Sequence, residues 1–471
     1  MANSYLTRAT SSAGNQRTYT VSGWYRFSHS DHSSMTMFSS DIEDDGANYA
    51  SLSMESGGQL KFINMTSSSL VTNYQSNPKF LDTTAWYHIV LRVDTTQSTA
   101  GDRIRLYVNG NQVTNWAYST TPNQDTDTGL FKSGTATLVG IRHPSSSPNY
   151  FEGEIAHLHI IDGTSYGPDT FGETDSTTGV WKPKMNPSVT YGTNGAFLKF
   201  ENSSALGTDS SGNGNTFTVS GDLKQMLSTP SNKFARLNPR GTNVSYDTPA
   251  YQPNGGRSLL GTTGVTRPCM IDMCFAGGKW YWEAKIEKNN ASSTLGVFLT
   301  DSTSAKRIEQ FNADLALQSA ANGGNAAISF LCNSSSLIQM GNSTTSYGTS
   351  IVDNDIIMFA FDADNGKVWT GRNGTWFNAP GTSDAGNPAA GTNDSGKTLT
   401  NTDRELMSFY VASQNSDSTN RLVHTNFGDG FFGTTAVASA NSDGAGMGAF
   451  EYAVPSGFYA VCSKNIQDYG G

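Results

Sequence analysis

GGKWYWEAKI, residues 277–286, sets two tryptophans and a tyrosine in three consecutive positions. On an extended strand, alternate side chains point to opposite faces. Trp280 and Trp282 then share one face with Ala284 and Ile286, while Tyr281 shares the other with Glu283 and Lys285. The first face is wholly apolar and reads as core. The second is mixed and reads as wet. A sugar-stacking platform is the other reading of such a cluster, and the apolar company of both tryptophans argues against it. Large aromatics also suit the gap between two packed sheets. The stretch therefore predicts an inner strand of a β-sandwich, with any binding surface on loops.

The same alternation recurs on both sides of it. RTYTVSGWYRF places Tyr19, Val21, Gly23 and Tyr25 on one face and Thr20, Ser22, Trp24 and Arg26 on the other. WYHIVLRVD alternates Trp86, His88, Val90 and Arg92 against Tyr87, Ile89, Leu91 and Val93. Hairpins are expected over Gly57-Gly58, Asn109-Gly110 and Asn365-Gly366, where glycine supplies the positive φ of tight turns. Trp24, Trp86, Trp280 and Trp282 are all expected in cores. Residues 166–191 lose the pattern, and 192–222 regain it as a returning strand pair. Residues 223–256 carry Pro, Gly and Asn without period and read as a linker. Residues 257–471 are again strand-rich. The expectation is an all-β chain of two antiparallel sandwiches, 1–222 and 257–471.

Composition agrees. The 471 residues include 49 glycines, only 15% are charged, and long capped helical patterns are missing, which suits short strands joined by polar loops. The net charge of −10, without a Lys/Arg block, argues against nucleic acid as a partner. The opening MANSYLTRAT lacks the features of a signal peptide, and no run reaches the roughly 18 apolar residues of a membrane span. Cys269, Cys274, Cys332 and Cys462 are too scattered for a disulfide framework and read as buried thiols made in a reducing cytoplasm.

YTVSGWYRF, WYHIVLRVD, RIRLYVNGNQV and FEGEIAHLHIIDG, in that order, resemble a laminin-G or concanavalin A-like jelly roll over residues 1–165. DSSGNGN (209–215) looks like a turn of such domains, displaced here to the end. GKWYWEAKI, LGVFL, DIIMFAFDADNGKVWTGRNGTWF, LMSFYVAS and NFG resemble a SPRY domain, also concanavalin-like. The ending YAVPSGFYAVCSKNI, and the pairing of both domains in one chain, resemble virion proteins of marine phages. The resemblance implies a tail fibre, spike or head decoration, located in the virion, with other virion proteins as partners, homo-oligomers, and host-surface glycans as ligands. The rival is a secreted or surface enzyme of glucanase type.

Candidate sites follow from side-chain chemistry. Aromatics in polar contexts suit glycan stacking: Tyr74 in VTNYQSN, Trp116 and Tyr118 in TNWAYSTT, and Trp376 with Phe377 in NGTWFNAP. Glu152 and Glu154 in FEGEIAH are the nearest thing to a glycanase pair. The related glucanases carry Glu-x-Asp-x-Glu, and here Ala156 stands at the third position, so no catalysis and no catalytic residue is expected. His157 and His159, two apart, would share a strand face as a metal pair does. No third ligand lies near in sequence, and half-buried histidines are the expectation. Asp41, Glu43, Asp44 and Asp45 form an acidic loop with the oxygen-rich chemistry that binds Ca²⁺, as laminin-G relatives do at the sandwich rim; a solvated loop without cofactor is the expectation. DADNG (362–366) lacks the later ligands of a calcium loop. No G-x-S-x-G or G-x-x-x-x-G-K-[ST] stands on the strand–turn–helix pattern that a nucleophile elbow or a phosphate loop requires.

Overall fold

Strand Thr18–Phe27 shows how the first sandwich forms. In the computed structural model, Tyr19, Val21, Tyr25 and Phe27 enter a core shared by two sheets, leaving Ser22, Trp24 and Arg26 on the opposite face. The structure describes residues 4–28, 34–41, 48–143, 149–177, 179–238, 253–260, 262–263, 267–288, 292–299, 327–332, 336–340, 343–378, 384–400, 406–415 and 422–470. It is an all-β fold, and it divides into two compact units, Met1–Gln225 and Met226–Gly471.

In the first unit, an eight-stranded sheet runs in the order Trp116–Thr120, Ser69–Lys79, Gln59–Thr66, Tyr49–Met54, Met35–Asp41, Ala136–Val139, Tyr5–Ala9 and Thr218–Ser220. A six-stranded sheet runs Ala196–Leu198, Gly153–Asp162, Thr18–Phe27, Tyr87–Asp94, Ile104–Val108 and Asn111–Gln112. Leu52, Phe62 and Val139 from the first meet Val21, Leu91 and Leu158 from the second in one buried cluster. The Asn109-Gly110 turn has φ of 48° and 80°, the left-handed pair that joins two strands tightly.

Two expectations about the end of this unit change. The returning strands do not pair with each other: Ala196–Leu198 joins Gly153–Asp162, and Thr218–Ser220 joins Tyr5–Ala9, one in each sheet. The DSSGNGN turn between them is tied by Asp209, whose carboxylate accepts from the backbone of Phe197, Ser211 and Asn215 at 2.7–2.9 Å. Residues 166–191 are more ordered than their missing period suggested. They hold a hairpin, Gly172–Thr174 with Trp181–Pro183, and roof the outer face of the six-stranded sheet. Trp24 is buried under that roof instead of between the sheets. Trp86, expected in a core, is only half-buried, because it lies in the turn before strand Tyr87–Asp94.

In the second unit, one sheet runs Ser258–Leu260, Leu422–Asn426, Lys279–Ile286, Ile356–Asp362, Lys367–Arg372 and Thr375–Trp376, with Tyr459–Ala460 parallel to Lys279–Ile286. The other runs Thr262–Thr263, Met407–Asn415, Ser292–Leu299, Ala327–Cys332, Leu337–Met340 and Ser343–Ser346, with Arg267–Met270 antiparallel to Met407–Asn415. Trp280 and Trp282 are fully buried between them; Trp282 packs on Phe427 at 4.9 Å and on Phe359 at 5.3 Å. The face of Tyr281 and Glu283, read as wet, is dry. Phe450, Phe458, Ala460 and Cys462 from the C-terminal segment, with Phe234, close over it. Phe234 also corrects the linker: Ala235 and Leu237 are buried in the second unit, and backbone bridges join Phe234 to Cys462 and Leu237 to Ile271. Three apolar residues within four positions, too few to show a period, dock this stretch on the sandwich. Cys269, Cys332 and Cys462 are buried and Cys274 is half-buried.

Candidate ligand-binding surfaces

One edge of the eight-stranded sheet is the largely exposed strand Trp116–Thr120, which carries no charge in WAYST. Its register on the neighbouring strand sets Trp116 opposite Ser76, Tyr118 opposite Gln75, Ser119 opposite Tyr74 and Thr120 opposite Asn73. Tyr118 therefore stands on the outer face at 60% exposure. Across the sheet from it come Gln75, then Lys61, then Ser53. Gln75 hydrogen-bonds Gln59 at 3.2 Å, and Lys61 lies 3.9 Å from Glu55, which also accepts from Ser53 Oγ at 2.8 Å. The result is one bare aromatic ring beside the Gln75 amide and a mutually neutralised Lys61–Glu55 pair, held in place by the sheet. Such a surface can stack on the apolar face of a sugar ring and hydrogen-bond its hydroxyls.

The other four aromatics fill different places from those their polar neighbours implied. Tyr74 is on a strand, 5% exposed, its hydroxyl 2.6 Å from Thr121 Oγ1. Trp116 packs edge-on against it at 4.9 Å and closes the end of the core. Phe377 is 1% exposed and packs edge-on to Tyr347 at 5.9 Å. Trp376 is half-buried against Tyr281. Asn73 and Gln75 lie on the opposite face of the strand, while Thr72 and Ser76 are buried on the same face as Tyr74, so polar sequence context did not mean exposure. Tyr118 alone of the five presents a ring broadly to solvent.

The acid and histidine pairs are also separated by their surroundings. Glu154 is buried with an oxygen 3.6 Å from Arg26 Nη1, itself buried, so this carboxylate serves as a counter-ion. Glu152 precedes the strand, and its carbonyl accepts from the amide and hydroxyl of Ser28. His157 is the extra residue of a β-bulge, at φ 47°, between the pairings of Ala156 with Trp24 and His159 with Ser22. The bulge breaks the strict alternation from which a shared face was expected. His159 is buried, stacked on Phe197 at 3.9 Å, and joined through Nδ1 to the Tyr191 hydroxyl at 2.9 Å. Burial lowers the affinity of His159 for a proton well below the usual range. Among the described residues no group of three His, Cys, Asp or Glu side chains is placed to hold a metal ion. Of the acidic loop, Glu43, Asp44 and Asp45 lie outside the described residues, and Asp41 ends a strand.

Two buried ionisable groups escaped the sequence reading. His88 is fully buried under the first unit's roof. Its Nε2 is 2.9 Å from Ser22 Oγ, its Nδ1 accepts from Trp181 Nε1 at 3.0 Å, and its ring stacks on Trp24 at 4.8 Å. Desolvation lowers its pKa to about 3. Glu283 is fully buried under the second unit's roof. Its carboxylate accepts from Tyr281 Oη at 2.8 Å and from the amides of Tyr452 and Glu451 at 2.8 and 2.9 Å, with Asn426 Nδ2 at 3.5 Å. Burial raises its pKa to about 7 against the pull of these donors. The alternation that put His88 and Glu283 on outer faces was legible; the segments covering those faces were not.

Residues 1–165 match a laminin-G family model described as the concanavalin A-like lectin/glucanases superfamily. No curated protein matches the chain. Among solved structures, mouse laminin alpha1 chain domains LG4-5 align over 96% of this chain and 94% of theirs, at 11% identity and TM-score 0.29. The SPRY domain of human HERC1 aligns over 40% of this chain and 96% of its own, at 15% identity and TM-score 0.26. A heptameric SAP-like pentraxin from Limulus polyphemus aligns over 35% and 71%, at 15% identity and TM-score 0.27. Likenesses this remote add no argument about what the chain binds.

Proposed function

We propose that this protein is a non-enzymatic structural component of a phage virion, in a tail fibre, spike or head decoration, and that its first unit binds neutral glycans on a host surface. The virion role is supported by the resemblance of the two-domain arrangement and of the C-terminal ending to phage structural proteins. The binding role is carried by Tyr118, the exposed ring on an uncharged sheet edge beside Gln75. Neutral sugars bind through ring stacking and hydrogen bonds, which this surface supplies without net charge. One shallow site of this kind gives about millimolar affinity, near 4 kcal/mol. Several copies engaging one surface raise avidity by roughly 10²–10⁴. Homo-oligomers or many copies on one particle are therefore part of the proposal, and calcium is not required by it.

The lectin part is tested by glycan binding of an artificially multimerised protein. Wild type retains neutral glycans, and Tyr118→Ala loses them while keeping its circular dichroism. Equal retention by the folded variant refutes the site. The virion part is tested separately, by mass spectrometry of purified particles for the protein and its copy number. The engagement of Glu154 with Arg26 favours a binding module over a glucanase. No polysaccharide turnover is expected; turnover lost in both Glu152→Gln and Glu154→Gln would overturn that part.

A further inference from the structure

The hairpin of Gly172–Thr174 and Trp181–Pro183 is held on the six-stranded sheet by a contact of unusual chemistry. Trp181 Nε1 can only donate, so His88 Nδ1 must accept, and the single proton of the neutral ring sits on Nε2, facing Ser22. Trp181 also fills a slot that two glycines leave open. A Cβ at Gly110 would lie 3.0 Å from its ring, and one at Gly172 2.5 Å. His88, Ser22 and the slot thus define one docked position, and that position requires an unprotonated Nδ1.

We propose that His88 and Trp181 form an acid-released latch: a proton on His88 Nδ1 removes the acceptor that holds Trp181, and the hairpin lifts from the outer face of the sheet. An imidazolium would set two N–H donors, Nδ1–H and Nε1–H, against each other at 3.0 Å. Stacking on Trp24 favours a cation, but it leaves that clash in place. The other ionisable side chains on this face do not offset the new charge. Arg26 on strand Thr18–Phe27 pairs with Glu154 of strand Gly153–Asp162. Arg92 and Asp94 share the strand and face of His88, and the Asp94 carboxylate, six residues along, is taken up by Thr96 Oγ1 and Gln97 Nε2 at 2.6 Å. Arg105 of strand Ile104–Val108, which also carries Tyr107, pairs with Asp102. His159 of strand Gly153–Asp162 is buried and neutral. On the hairpin, Lys182 lies 2.9 Å from Asp175 and 3.8 Å from Glu173 at the exposed surface. Burial already holds His88 neutral far below the usual histidine range, so the proton enters when the hairpin opens.

Hydrogen exchange on the full chain from pH 7 to pH 4, corrected for the intrinsic rate of amide exchange, tests the latch. The reporters are the Asp175 amide, bonded to the Val180 carbonyl at 2.8 Å, and the Lys184 amide, bonded to the Phe171 carbonyl at 2.9 Å. With a histidine of ordinary pKa in the open form, opening should rise about tenfold per pH unit below 6.5, to roughly 300-fold at pH 4. Amides within strand Tyr87–Asp94 should not follow. His88→Gln should give a flat profile, and His159→Gln should keep the wild-type slope. Trp181→Phe should exchange quickly at pH 7 already, without further response to acid; it decides the matter even if His88→Gln does not fold. A rise that survives in His88→Gln or Trp181→Phe, that moves with His159, or that appears in every strand of the unit together overturns the proposal.

Discussion

The roofs of the two sandwiches solve one problem over groups of opposite kind, a base and an acid. Each unit has a sheet whose outer face is covered by a segment from its own C-terminal part, and each cover closes over an ionisable side chain. In the first unit the group is His88, kept neutral and hydrogen-bonded by Trp181 and Ser22. In the second it is Glu283, a carboxylate receiving three donors at 2.8–2.9 Å from Tyr281, Tyr452 and Glu451. A buried base resists gaining a proton and a buried acid resists losing one. The two covers must therefore answer pH in opposite directions, although they do the same architectural work.

The largest expected effect lies beneath the second roof. Trp282→Ala removes a fully buried ring between the sheets and should destabilise the second unit by about 3–5 kcal/mol, read by urea denaturation. A smaller and more telling effect is the divergence with pH. His88 has a folded pKa near 3 against 6.5 for the free side chain, so the unfolded chain binds more protons, and the stability it confers is lost progressively as pH falls from 6.5. Glu283 has a folded pKa near 7 against 4.5, so the folded chain binds more protons; its stabilisation is full below 4.5 and fades as pH rises through 7. Each slope is at most about 1.4 kcal/mol per pH unit. Calorimetry that resolves two transitions should show the first unit weakening and the second strengthening between pH 6.5 and 4.5; parallel shifts would break the comparison. Glu283→Gln should flatten the second unit's profile at a cost of about 1–3 kcal/mol, from the donors it leaves poorly matched. Tyr118→Ala, on an exposed edge, should change stability by no more than about 0.5 kcal/mol while abolishing multimer binding to glycans.

What the sequence disclosed was whatever obeys a two-residue period. Tyr19, Val21 and Tyr25, or Trp280 and Trp282, announce an inner face because their alternate neighbours differ from them. The turns were legible too: Asn109-Gly110 carries its geometry in two residues, and Gly366 supplies the positive φ that ends the four-residue loop between Asp362 and Lys367. The roofs were not. Trp181, Phe450 and Phe458 come from segments whose apolar residues follow no period, so nothing in the sequence marks what they will cover. That is why Tyr281 and Glu283 read as wet. The same blindness affected the aromatics: Tyr74 and Phe377 are buried although polar residues stand near them in the sequence, and of the five only Tyr118 has both a polar context and an open side. His157 and His159 were paired by a strand rule that a bulge suspends.

Strand Tyr5–Ala9 carries one more implication, and it concerns time. One of its partners in the sheet is Thr218–Ser220, from the far end of the unit. During synthesis the first strand leaves the ribosome long before that partner is made, at rates of about 5–20 residues per second. For roughly ten seconds or more the growing chain carries an unclosed sheet border, the kind of surface on which neighbouring nascent chains pair by mistake. The closing step joins residues remote in the chain, which is intrinsically slow. The yield of this protein in a cell should therefore depend on synthesis rate and temperature more than on the stability of the finished fold.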